Sequence, residues 1–220
     1  MFQNRQEAAR LLVRRFDGRD LRDPLVLAIP RGGVATGAVL ARELNAELDV
    51  VLSRKLRAPF QPELAIGAVG EDGQIYLNPE AGKRLDLTEE YLAGEAAHQL
   101  GEIARRRAMF RTVRPGATIE GRSVIVTDDG IATGATMIAA LESARAKHPF
   151  ELIVAVPVAS PDRLWEIRRR CDEMICLLAP RSFWAIGQFY RDFTQVEDEE
   201  AVELLRAAGP ALRTLAPSSA

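Results

Sequence analysis

Apolar residues in this chain fall into short unbroken runs separated by amphipathic stretches. Leu25 to Ile29, Leu48 to Ser53, Ser123 to Thr127, Leu152 to Val156 and Glu173 to Leu178 are rich in Val, Ile and Leu. Runs of this kind read as strands. Val34 to Leu44, Gly134 to Lys147 and Pro161 to Arg170 carry helical spacing instead, as does a longer stretch from about Thr88 to Arg111. The chain opens on a further helix, in which Asn4 and Glu7 suit a capping box and Ala8, Leu11, Leu12 and Phe16 share a face. A last helix is expected from Glu197 to Leu215, acidic where a helix N-terminus favours acids. Strands alternating with helices predict an α/β fold on a mainly parallel sheet.

The region from Arg54 to Asn78 departs from this rhythm. It holds Pro59, Pro62, Gly67, Gly70 and Gly73, with strand-like pieces at Leu64 to Val69 and Gln74 to Leu77. It reads as an excursion of a loop and a hairpin turning at Glu71-Asp72-Gly73.

Composition narrows the class. At 220 residues and 47% hydrophobic, the chain can bury one full core. A net charge of −2 lacks the basic excess of a general nucleic-acid binder. No apolar run is long enough to span a bilayer, and the start lacks a signal-peptide layout. Cys171 and Cys176 read as reduced thiols, and His98 and His148 are isolated, so a cytoplasmic protein is expected.

The chemistry concentrates in Val124-Ile125-Val126-Thr127-Asp128-Asp129-Gly130-Ile131-Ala132-Thr133-Gly134-Ala135-Thr136-Met137. A buried strand ends in two carboxylates, and a short loop delivers small and hydroxyl-bearing residues to a helix start. Ligands of open α/β sheets collect at the carboxyl ends of strands. A helix start offers unpaired N–H groups to a phosphate, and Gly134 permits close backbone approach. Two ionised carboxylates suit the paired hydroxyls of a ribose. The unit therefore describes a cradle for a phosphorylated pentose. A surface Asp-Asp turn before a capped helix is the plainer alternative.

This stretch resembles the 5-phosphoribosyl 1-pyrophosphate (PRPP) motif of type I phosphoribosyltransferases. The resemblance implies a Rossmann-like sheet flanked by helices, in one domain over 1–220 with a core of about 25–178, a lid of about 54–78 and a hood or extension of about 179–220. It implies that Asp128 and Asp129 hold the ribose hydroxyls, and that Ala132, Thr133, Gly134, Ala135 and Thr136 hold the 5′-phosphate. Ile29-Pro30-Arg31-Gly32-Gly33-Val34 is similar to the family's pyrophosphate loop, which often carries a cis or strained peptide that Gly32 or Gly33 would tolerate best. A basic residue after the next strand contacts pyrophosphate in several members, which points to Lys55 and then Arg54; a solvated basic turn explains this pair too. Arg105-Arg106-Arg107 reads first as a solvated helix face, with phosphate contact the lesser reading.

The activity implied is Mg2+-dependent transfer of the phosphoribosyl group from PRPP to a nitrogenous base, with Asp128, Asp129, Lys55 and Arg31 as the catalytic set. Mg2+ would be held mainly through PRPP and water, with Asp128 and Asp129 as its protein ligands if it has any. Homodimerisation is a further family expectation. A non-catalytic PRPP sensor on the same fold is the alternative. Phe183, Trp184, Phe189 and Tyr190 are the candidate acceptor-binding aromatics, with core packing as the competing reading. One position departs from a named branch: 6-oxopurine enzymes usually carry Asp where this chain has Ala132. Any general acid or base must then lie elsewhere, with Glu63, Glu71 and Asp72 as candidates.

Overall fold

The computed structural model describes residues 1–77 and 87–208. Asn78, residues 209–215 of the expected tail helix and the Glu63 side chain lie outside that description. The chain begins with α1 (Arg5–Val13). The Asn4 side chain accepts from the Glu7 N–H, while the Glu7 carboxylate accepts from Gln3 rather than from the cap residue, so the capping box is half made.

Five parallel strands form the main sheet: β1 (Leu25–Ala28), β2 (Glu47–Val50), β6 (Ser123–Thr127), β7 (Glu151–Val158) and β8 (Glu173–Leu178), in the order β2-β1-β6-β7-β8. The apolar runs are continuous because β1 and β6 are covered on both faces. Val26, Ala28, Ile125 and Ile153 face one core with Leu12 and Leu40, the latter on α2 (Gly32–Glu43). Leu27, Val124, Val126 and Leu152 face the other. There they meet Met137 and Leu141 of α4 (Ala135–Arg145) and Ile167 of α5 (Pro161–Arg168). Cys171 and Cys176 are unpaired, and burial pushes each thiol up to about 11.

From β1 the sheet grows one way to β2 and the other way to β6, β7 and β8. Strand order reverses between β1 and β6, where the loops leaving adjacent strands diverge and open a crevice. The register aligns those exits, pairing Ala28 with Thr127.

The excursion is a second sheet: the expected hairpin turning at Glu71-Asp72-Gly73 is present, but a strand stands where the loop before it is expected. β3 (Ser53–Ala58), β4 (Gln61–Gly70) and β5 (Ile75–Leu77) run antiparallel in that order, with Gly73 at positive φ in the β4–β5 turn. The extra strand begins at Ser53, which the sequence pattern assigns to the preceding strand. Helix α3 (Glu89–Phe110) packs on this sheet, its Thr88 side chain capping the Tyr91 N–H. The chain closes, within the described residues, on α6 (Asp198–Ala207). Among the described residues, no helix is long and apolar enough to cross a membrane.

Candidate functional site

The two glycine-bearing loops meet because neither Gly32 nor Gly33 has a side chain. A Cβ on Gly32 would stand 2.0 Å from an Asp129 carboxylate oxygen. One on Gly33 would stand 2.9 Å from the Thr127 carbonyl and 3.0 Å from the Asp128 Cα. Both glycines lie in the first turn of α2, which starts two residues earlier than its apolar pattern suggests. The Pro30–Arg31 peptide bond is cis, one residue before the glycines at which such a bond is expected.

The two acids differ in their surroundings. Asp129 is buried, and its Oδ2 accepts from Arg5 Nε at 2.8 Å. Arg5 also donates to the Thr194 carbonyl at 2.8 Å and lies 4.0 Å from the centre of the Phe193 ring. The Tyr190 hydroxyl donates to the Asp129 carbonyl at 2.6 Å. Asp128 is half-buried and accepts the Asp129 N–H at 2.8 Å. Desolvation and then the Asp129 charge hold the Asp128 carboxyl well above the usual carboxylate range, against the pull of Arg5.

Gly134 caps α4 in the left-handed conformation, φ 78°, and makes no side-chain cap bond. The first backbone acceptor inside the helix is the Gly134 carbonyl, taken by the Ile138 N–H. The N–H groups before Ile138 therefore point out of the helix end, as anion sites do. Thr133, Ala135 and Thr136 line an open cavity of about 400 Å3, whose other walls include Pro30, Arg54, Lys55, Arg57, Gln99 and Arg106. Of the 5′-phosphate candidates, Thr133, Ala135 and Thr136 thus face one space with the basic pair after β2, whereas Ala132 and Gly134 are not among its walls. Ala132 is exposed at the turn.

Arg31 turns toward α6, 3.2 Å from Glu197 and 3.9 Å from Asp198. Glu71 is 2.8 Å from Arg111 and Asp72 is 3.5 Å from Lys147, so these two candidate acid–base residues hold the second sheet in place instead. The aromatic candidates divide. Tyr190 is buried between Phe2 and Phe193, with ring centroids at 5.4 and 5.0 Å, which leaves no ring face for a base. Phe183 and Phe189 pack on each other at 5.3 Å, and Trp184 is exposed.

Two site residues, Arg5 and Gln99, escape the sequence reading, and Arg106 enters it only through the lesser reading of the arginine run as a phosphate contact. Each has a signal in periodicity. Arg5 shares the stripe of Ala8, Ala9 and Leu12, and Gln99 and Arg106 share the stripe Ala96, Ile103 and Phe110. A polar residue on a buried stripe needs a polar partner. Of the arginine triplet, only Arg106 is half-buried, while Arg105 and Arg107 are exposed. Burial, then the charges of Arg54, Arg105 and Arg31, lower its pKa.

The chain is similar to known proteins. The family model of the phosphoribosyl transferase domain matches residues 2–194. The chain belongs to the phosphoribosyl transferase family. Two curated family members from Mycobacterium tuberculosis, strains CDC 1551 and H37Rv, are named provisionally as phosphoribosyl transferases. Each is 41% identical over 208 residues, 94% of this chain and 47% of the relative. The chain therefore spans about half the length of the curated relatives it matches. The crystal structure of the Thermus thermophilus protein TT1426 superposes with a TM-score of 0.89 at 43% identity, covering 94% of this chain and 98% of that one. The fold is that of the type I phosphoribosyltransferases, with the second sheet standing where the family resemblance sets a lid.

Proposed function

We propose that the chain transfers the 5-phosphoribosyl group from PRPP to a nitrogenous base, releasing pyrophosphate. One observation carries this reading: the start of α4, which has no side-chain cap bond, and a wall of arginine and lysine side chains line the same cavity. A ligand with a phosphate at one end and a more highly charged anion at the other fits that polarity.

In this reading the α4 start holds the 5′-phosphate through its N–H groups, Thr133 and Thr136. Asp128 accepts from one ribose hydroxyl, and the remaining Asp129 oxygen accepts from the other. Arg31, Arg54, Lys55 and the Gly32-Gly33 amides hold the pyrophosphate. The bond from C1′ to the pyrophosphate oxygen breaks, its electron pair leaves with pyrophosphate, and a base nitrogen bonds to C1′ from the opposite face. The protein contributes position and charge rather than a covalent intermediate.

The described residues contain no cluster of three acidic, His or Cys side chains fit to cage a metal ion. Two adjacent carboxylates, one already paired to Arg5, suit instead an Mg2+ that arrives with its anionic ligand, and Asp128 would be the protein residue to meet it. When bound, Mg2+ supplies neutralising charge for the departing pyrophosphate.

The test is a pyrophosphate-release screen with Mg2+ and PRPP against adenine, guanine, hypoxanthine, xanthine, uracil and orotate. Turnover with one base is expected. PRPP-induced thermal stabilisation without turnover would favour a sensor, and absence of PRPP binding would reject both. The double variant D128N/D129N is expected to lose PRPP affinity at least tenfold while keeping its circular dichroism spectrum.

A further inference from the structure

Arg31, Arg54, Arg105 and Arg106 stand close enough for the other three charges to disfavour the charged form of Arg106. Such crowding costs free energy unless an anion is near. The chain supplies one from within. Glu197 and Asp198, at the start of α6, stand 3.2 Å and 3.9 Å from Arg31. Asp198 is also 4.0 Å from Arg105, and its charge supports that of Arg106. The helix does not need these acids for its own start. Glu197 occupies the cap position without a side-chain cap bond, and Glu199 and Glu200 also place negative charge in the first turn.

We propose that Glu197 and Asp198 set the affinity of this cationic wall, acting as intramolecular counter-anions that a pyrophosphate group must displace from Arg31. The inference rests on the phosphoribosyl transfer reading and deepens it. Grip on the pyrophosphate end is tuned by α6, while the 5′-phosphate end at α4 is not. Displacement is cheap, because the Glu197 side chain is 59% exposed and Asp198 meets Arg31 only at 3.9 Å. No bond or proton changes hands; one set of ion pairs replaces another.

The experiment compares E197Q/D198N with E199Q/E200Q, which removes the same formal charge from the same helix start away from Arg31. Calorimetric titrations use inorganic pyrophosphate with Mg2+, PRPP with Mg2+, and ribose 5-phosphate. E197Q/D198N is expected to bind pyrophosphate and PRPP about three- to tenfold more tightly, the scale of two partly exposed ion pairs, with ribose 5-phosphate unchanged. E199Q/E200Q is expected to match the parent. The single variant E197Q, altered at the more exposed acid, serves if the double variant is unstable and should show part of the gain. Unchanged or weaker pyrophosphate binding in E197Q/D198N overturns the inference. So does an equal gain in E199Q/E200Q, which would mark a diffuse charge effect. Absence of pyrophosphate binding in both parent and E197Q/D198N overturns it as well. If the parent fails to bind PRPP while E197Q/D198N gains pyrophosphate affinity, the phosphoribosyl transfer reading falls and the counter-anion role stands.

Discussion

Gly32 shows how a missing side chain builds the site. Its Cα sits against the Asp129 carboxylate, and a methyl group there would overlap an oxygen at 2.0 Å. G32A is therefore expected to cost about 1–3 kcal/mol, the range for overpacking, and to weaken PRPP binding by moving the acid. Gly101 supplies the contrast. It lies exposed within α3 with nothing within 4 Å of an added methyl, so G101A should stabilise by about 0.5–1 kcal/mol through helix propensity. Urea unfolding of the two variants checks both signs. Arg5 is the residue whose role the sequence hides most. Without tertiary contacts, an arginine in the first turn of a helix reads as solvated. Only the fold brings Asp129, Thr194 and Phe193 around it. The acid pair and the helix start after it were legible, because their chemistry lies in consecutive residues at the end of a buried strand.

At the scale of elements, β3 and α3 are clamped by a chain of charges. Glu95 accepts from the Arg57 backbone N–H at 3.1 Å and side-chain Nε at 2.8 Å, and from Gln99 at 2.9 Å. The Gln99 carbonyl oxygen then accepts from Arg54 at 3.1 Å, which orients a cavity cation from a buried helix face. Burial alone would raise the Glu95 carboxyl, yet the Arg57 and Gln99 bonds hold it below its ordinary range. A depressed acid contributes stability that is present above the unfolded pKa of about 4.3 and is lost as pH falls through the lower folded value. Melting temperature measured across the acid range should thus fall more steeply for the parent than for E95Q, which lacks this titration. The helices and main strands were readable because their apolar periods are long and regular. The β3 strand was not, since Ser53-Arg54-Lys55-Leu56-Arg57 carries three cations in five residues and no alternating apolar pattern, Arg54 and Lys55 both being half-buried.

Across the whole molecule, the two sheets are joined by a buried ion pair. Arg111 lies 2.6 Å from Asp49, on β2, and 2.8 Å from Glu71, in the β4–β5 turn. The other Asp49 oxygen accepts the Ala117 N–H at 2.8 Å. Burial pushes the Asp49 carboxyl above its ordinary range despite the neighbouring guanidinium. R111M would leave that acid buried without its cation and is expected to cost about 3–5 kcal/mol, read as a lower urea midpoint. This linkage joins residues far apart in the chain, and no local pattern announces it.

The division between the sheets also separates two kinds of recognition. The contacts proposed for the sugar and its phosphate come from loops of the five-stranded sheet, whereas most of the basic wall comes from β3 and α3. Exchanging only the cavity-facing side chains of β3 and α3 with those of a relative should therefore transplant preference for the leaving group while the sugar end keeps its own, so that selection could adjust the two ends as separate modules.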